Sequence, residues 1–250
     1  MIYTVTLNPS VDYVMECQDI KIGKLNRSQK ESFFIGGKGI NVSIMLKNLA
    51  VESTCLGFTA GFTGEVIENT LNSMGINQNF IHLNEGKTRI NVKLKGESET
   101  EINGFGPKAG KKEVNKLLDM IEELNKNDLA VLSGSVIKSD FDNLYELMAQ
   151  KLSKSGVRFI ADTSGSSLKS VLKYKPFLVK PNVYELEEFF GQKAESEEEI
   201  VNLAFKLQKE GPENVLVSRG GQGAIMVCSD KSVYSLPAPN GRKINTVGSG

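Results

Sequence analysis

The segment Leu129-Ala130-Val131-Leu132-Ser133 constrains the fold more than any other. It is almost wholly apolar and too short for an ordinary helix, which is how a strand reads when helices cover both of its faces. The chain beyond it alternates. A helical pattern over 141–153 stops near Gly156, a strand pattern covers 157–162 and a shorter one 177–180. Helical patterns follow at 184–190 and Glu197–Lys209, then strand patterns at 215–218, 224–228 and 232–236. Alternation of this kind builds a largely parallel sheet flanked by helices, an α/β fold.

The first half reads differently. A strand over 2–7 ends at Asn8-Pro9, helical spacing runs over 40–49, a strand covers 54–57, and helices cover 65–74 and 109–124. The segments 13–17, 30–35, 88–94 and 97–103 are more polar and alternate, with Lys95-Gly96 as a hairpin signal. They predict a small antiparallel sheet formed from two insertions, about 12–35 and 87–104, with one exposed face. Such a sheet serves as a lid, a subunit interface, or both.

Composition removes several classes of function. In 250 residues, 30 Lys and Arg balance 30 Asp and Glu, so no basic excess points to nucleic acid or to a membrane surface. No run approaches the 18 apolar residues of a membrane span. The first strand carries no basic flank and no small-residue cleavage site, so no secretion signal is expected. Cys17, Cys55 and Cys228 are odd in number and far apart, which points to a reducing compartment, the cytoplasm.

Three glycine-rich places follow strand patterns: 36–39, 219–223 and 248–250. None matches the phosphate loop that ends in Gly-Lys-Ser/Thr, and none completes Gly-x-Gly-x-x-Gly. Each is open to reading as a tight turn. The first, Gly36-Gly37-Lys38-Gly39-Ile40-Asn41, also opens a helix. Its glycines let backbone approach a ligand, and the helix start offers unpaired N–H groups to oxygen-rich ligands. Lys38 suits a phosphate and Asn41 a hydroxyl; a helix start with a solvent-facing lysine is the plain alternative. Asp12 lies just past the first strand, where α/β proteins bind ligands, and a carboxylate there suits two sugar hydroxyls or a turn.

Taken together, Thr6-Leu7-Asn8-Pro9-Ser10-Val11-Asp12, Gly36-Gly37-Lys38-Gly39-Ile40-Asn41-Val42-Ser43, Thr88-Arg89-Ile90-Asn91, Lys180-Pro181-Asn182-Val183-Tyr184-Glu185, Ser218-Arg219-Gly220-Gly221-Gln222-Gly223-Ala224 and Thr246-Val247-Gly248-Ser249-Gly250 resemble the PfkB branch of the ribokinase-like carbohydrate kinases. Within it they are similar to the 1-phosphofructokinase and tagatose-6-phosphate kinase group. The resemblance runs the length of the chain, in order. It implies a ribokinase-like three-layer α/β/α sandwich over 1–250 carrying the small antiparallel lid. It also implies ATP and Mg²⁺ as cofactors, a ketohexose monophosphate as substrate, and a homodimer formed through the lid sheet.

Residue by residue, the resemblance implies that Asp12 holds sugar hydroxyls and that Gly37, Lys38 and Asn41 contact the sugar. Arg89, assisted by Lys38 and Arg27, would bind the phosphate already on the substrate. Lys180, Asn182 and Glu185 would organise the nucleotide phosphates, with Glu185 holding magnesium through water. Ser218, Gly220 and Gly223 would form the nucleotide loop, and Gly248, Ser249 and Gly250 the start of an anion hole. Asn182 and Glu185 also outline a helix capping box, a role compatible with the first. Ser249 stands where the family has alanine. The family's catalytic Asp is expected directly after Gly250, so 1–250 reads as incomplete at its C-terminal end and, alone, as inactive or severely impaired. Asp140 and Asp162 fit turn or cap roles rather than a substitute base.

Arginine fits a phosphate by geometry, and a substrate without one would not need Lys38 and Arg89 together. Fructose 1-phosphate, converted to fructose 1,6-bisphosphate, is the expected substrate. Tagatose 6-phosphate and fructose 6-phosphate remain open, as does a non-catalytic sugar-phosphate sensor on the same scaffold.

Overall fold

A computed structural model describes residues 1–18, 20–141 and 143–239. Along the chain, strands β1 (Ile2–Thr6), β2 (Ser10–Glu16) and β3 (Lys30–Gly36) precede helix α1 (Lys38–Asn48). Then come β4 (Ser53–Ala60), α2 (Gly61–Ser73), β5 (Asn77–Leu83), β6 (Arg89–Lys95), β7 (Glu99–Asn103), β8 (Lys108–Ala109) and α3 (Lys111–Glu122). The chain continues with β9 (Leu129–Ser133), β10 (Lys138–Ser139), α4 (Leu144–Lys154), β11 (Arg158–Asp162), α5 (Gly165–Leu172) and β12 (Leu178–Val179). It ends with α6 (Val183–Phe190), α7 (Glu197–Lys209), β13 (Asn214–Ser218), β14 (Ala224–Val227) and β15 (Val233–Leu236). The expected α/β alternation is present.

Two compact units divide these elements. One comprises Met1–Tyr3, Leu118–Ser133 and the chain from 142 onward; the other comprises Thr4–Leu117 and Gly134–Phe141. In the first unit, β9, β11, β12 and β13 are parallel neighbours in that order, and β14 and β15 extend the sheet antiparallel. Strand β9 is buried along nearly its whole length, as its apolar sequence requires. Helix α7 shows the pattern in its purest form: Ile200, Leu203, Ala204 and Leu207 recur every three or four residues and are all buried. Burial of each large member stabilises the unit by about 1.5–3 kcal/mol.

In the second unit, β4 and β5 pair in parallel. Helices α1 and α2 supply Ile40, Ile67 and Leu71 to a core that also takes Val11, Ile35, Cys55 and Ile76. The lid is a separate four-stranded sheet in the order β3-β2-β6-β7. Its outer pairs are antiparallel hairpins, but the central pair, β2 with β6, is parallel. The expectation of a wholly antiparallel lid is therefore corrected. The two hairpins come from distant parts of the chain and enter the sheet in the same direction.

Two elements of more than three residues carried no readable signal. Strand β5, Asn-Gln-Asn-Phe-Ile-His-Leu, closes the β4 edge of its unit and is mostly exposed or half-buried, so few apolar residues mark it. Helix α5 is eight residues long and opens Gly-Ser-Ser, a turn-like start.

Candidate functional site

The sugar-facing candidates gather in the unit that holds the lid. Register pairs Ser10 with Gly36 across β2–β3, and Ser10 with Arg89 and Asp12 with Asn91 across β2–β6. One end of the lid thus brings Asp12, the Gly36-Gly37 turn and Arg89 together. Lys38 and Asn41 follow on the first turn of α1, Lys38 exposed and Asn41 half-buried. Asp12 is 7 % exposed. Its Oδ1 accepts from Ser10 Oγ at 2.7 Å and from Asn91 Nδ2 at 2.9 Å, and its Oδ2 lies 3.2 Å from Lys93 Nζ.

Arg89 is anchored rather than free to wave in solvent. Its Nε donates to the Asn8 carbonyl at 3.1 Å. Burial pulls its pKa down from the ordinary guanidinium value, and the charge of Asp12 pulls it back up. An arginine stays protonated under either influence. The root of β6 is pinned as well: Thr88 N donates to the Ala60 carbonyl, and Thr88 Oγ1 accepts from Ala60 N, both at 2.9 Å.

Gly37 is the N-cap of α1, with φ 127°, a conformation L side chains rarely adopt. A Cβ there would stand 2.6 Å from Thr6 Cγ2. The helix start is capped from another element: Ile40 N donates to Thr6 Oγ1 at 3.1 Å. Arg27 lies outside the ladder that joins these residues. It is exposed and precedes β3, whose Lys30 pairs with Glu16, six residues along the ladder from the Ser10–Gly36 pair. At about 3.3 Å per residue that is roughly 20 Å.

The nucleotide-facing candidates gather in the other unit, at the carboxyl ends of its parallel strands. Asn182 caps α6: its side chain accepts from Glu185 N at 2.8 Å, and Glu185 Oε2 accepts from Asn182 N at 2.9 Å. The capping box is therefore formed. Asn182 also makes an isolated bridge with Ser218, whose N–H donates to the Pro181 carbonyl. Beyond Ser218 the loop turns through Gly220 (φ 55°) and Gly223 (φ 92°). A Cβ on Gly223 would fall 1.9 Å from the Leu236 carbonyl oxygen, so only glycine fits. Lys180 lies 3.4 Å from Asp162 Oδ1. Asp162 therefore pairs with a lysine rather than capping a helix, and Ser164 is the N-cap of α5. Asp140 likewise pairs with Lys108, at 2.6 Å, and Asn143 is the N-cap of α4.

A cleft of about 400 Å³ opens beside these residues, lined among others by Asn182, Tyr184, Glu197, Ser218, Arg219 and Gly220. Arg219 Nη1 is 2.6 Å from Glu197 Oε2. A hydrogen bond from Ser235 and the Arg219 contact hold the Glu197 carboxyl below its ordinary pKa. Gly248, Ser249 and Gly250 lie outside the described residues.

Several neighbours of the candidates escaped the sequence reading. Ser10, Asn91 and Lys93 surround Asp12, and Glu197 closes the cleft. The signal for two of them was present: Arg89, Asn91 and Lys93 alternate, so in a strand all three share one face.

A family model described as pfkB family carbohydrate kinase matches residues 5–250. The 1-phosphofructokinase of Bacillus subtilis is 44% identical over 250 residues, covering 100% of this chain and 82% of that protein. The D-tagatose-1-phosphate kinase of Bacillus licheniformis is 36% identical over 251 residues, covering 100% of this chain and 82% of that protein. Among solved structures, phosphofructokinase-2 from Escherichia coli in complex with fructose-6-phosphate superposes with a TM-score of 0.89 at 27% identity, covering 99% of this chain and 82% of that one.

Proposed function

The chain belongs to the pfkB family of carbohydrate kinases, from which we infer that it is an ATP-dependent kinase acting on a ketohexose phosphate. We propose fructose 1-phosphate as that substrate and fructose 1,6-bisphosphate as the product. The observation that carries this reading is the meeting of Asp12 and Arg89 at one end of the lid, a hydroxyl acceptor beside an anchored guanidinium. A carboxylate suits sugar hydroxyls and a fixed arginine suits the phosphate already present. Gly37, Lys38 and Asn41 are proposed to complete the sugar site, with the start of α1 presenting N–H groups to oxygen atoms.

Phosphoryl transfer needs positioning and charge neutralisation more than covalent chemistry from the protein. Ser218, Gly220 and Gly223 are proposed to seat the nucleotide, and Lys180, Asn182 and Glu185 to face its phosphates. Magnesium, when bound, would neutralise charge on those phosphates. Glu185 fits that role through water: its Oε2 is used by the capping box, while Oε1 has no partner among the described residues. Gly248, Ser249 and Gly250 remain the proposed anion hole.

We also propose a homodimer through the apolar face of the lid. Val11, Tyr13, Phe33, Phe62 and Ile90 line a groove of about 310 Å³ there, with Phe33 and Phe62 more than half exposed. Sedimentation of the protein as a monomer at micromolar concentration would refute this. No described helix is long and apolar enough to cross a membrane. The three cysteines are unpaired, which supports a cytoplasmic setting.

The test of function compares phosphorylation of fructose 1-phosphate, tagatose 6-phosphate and fructose 6-phosphate by the full-length gene product, with ribose as control. Turnover of fructose 1-phosphate at the highest kcat/KM is expected. Inert sugar phosphates with active ribose would refute it.

A further inference from the structure

The carboxylate of Asp12 is held by three donors. Ser10 Oγ and Asn91 Nδ2 both reach Oδ1, and Lys93 Nζ reaches Oδ2 at 3.2 Å. Each carboxylate oxygen offers two lone pairs. Oδ1 is therefore filled, and Oδ2 keeps a single acceptor position.

Lys93 is itself unusual. Its side chain is 7 % exposed, and its second contact is Glu101 Oε1 at 3.7 Å. Burying an ammonium is unfavourable unless anions meet it, so the arrangement depends on Asp12 as much as Asp12 depends on it. The register explains the geometry. Asp12 lies opposite Asn91, and Lys93 stands two residues further along β6 on the same face, so it reaches back diagonally to Oδ2. Gly36 completes the enclosure: a Cβ there would lie 2.6 Å from Ser10 Oγ and 3.0 Å from Asp12 Oδ1.

We infer that Lys93 is a positioning residue for the sugar site: it orients the Asp12 carboxylate so that Asp12 accepts one sugar hydroxyl, through Oδ2, rather than two. The inference rests on the sugar-phosphate reading above and narrows it. Lys93 acts through Asp12 and makes no contact of its own with the substrate.

Calorimetric titration tests this with fructose 1-phosphate, using Mg-ATP as a control ligand. Lys93→Met is expected to weaken fructose 1-phosphate binding by about 10- to 30-fold, as for loss of a buried charged hydrogen bond, and to leave ATP affinity unchanged. In an Asp12→Asn background, Lys93→Met should cause no further loss. Lys93→Arg should recover most of the affinity. An additive loss in the double variant would mean that Lys93 touches the sugar phosphate itself, and would overturn the inference. Unchanged affinity in Lys93→Met would do so as well.

Should Lys93→Met not fold, Glu101→Gln provides the second arm. Lys93 then has only Asp12 to meet, and sugar-phosphate affinity is expected to hold; a loss overturns the inference. Deoxy analogues of fructose 1-phosphate at C3 and C4 address the single hydroxyl. One analogue should bind more weakly to the parent protein and lose that difference in Asp12→Asn; two such analogues would refute the one-hydroxyl geometry. If the parent protein binds none of the three ketohexose phosphates, the sugar-phosphate reading falls, and this inference with it.

Discussion

Replacing Thr6 by valine tests how the chain builds the start of α1. Thr6 is 2 % exposed, and its hydroxyl accepts from Ile40 N at 3.1 Å. Gly37, the N-cap residue, has no side chain to offer, so a strand residue 31 positions earlier supplies the cap. Valine keeps the shape, which removes cavity formation from the comparison. The loss is the cap bond, commonly about 0.5–2 kcal/mol, together with a buried N–H left unmet, about 1–3 kcal/mol. These describe the same group and overlap, so about 2 kcal/mol is expected. For a chain of this size each kcal/mol moves Tm by about 2–4 °C, giving a fall of roughly 4–8 °C by differential scanning calorimetry. Thr6→Ser is the control. It keeps the oxygen and loses one methyl, about 0.8 kcal/mol, so its Tm should fall less than half as far. A Thr6→Val protein melting within 1 °C of the parent, or a Thr6→Ser protein melting lower still, would refute the reasoning.

The remaining expectations separate the two units by their ligands. Gly223→Ala places a methyl against the Leu236 carbonyl oxygen, so ATP affinity should fall at least tenfold while fructose 1-phosphate affinity stays within twofold, both read by calorimetry. Asn182→Ala opens the α6 capping box and should lower stability by about 1 kcal/mol in urea unfolding, with weaker Mg-ATP binding. Arg89→Ala should cut fructose 1-phosphate affinity by about 100-fold and leave the weak binding of unphosphorylated fructose unchanged in the same titration. The Ser235 and Arg219 contacts lower the folded-state pKa of Glu197, so their stabilisation is complete above the unfolded carboxyl value of about 4.3 and is lost as pH falls through the folded value. Glu197→Gln should therefore flatten the acid limb of a Tm-against-pH curve below about pH 4.3, and a limb of unchanged steepness would exclude this contribution.

Sequence alone determined what depends on neighbours along the chain. The apolar run of β9, the three-and-four spacing of α7 and the Asn182–Glu185 capping box are local, because burial on both faces, helical period and cap chemistry each act within a few residues. The glycine loops were legible for the same reason, since a backbone at positive φ excludes most side chains wherever it lies. Tertiary structure decided what depends on pairing between distant segments. The parallel contact of β2 with β6 joins residues 79 apart, and it alone places Asn91 beside Asp12 and brings Lys93 within reach. The same pairing turned an expected antiparallel lid into a mixed one. Strand direction and register are set by the cross-strand ladder, which no local pattern records, so the sequence named Asp12 and the ladder decided which donors surround it.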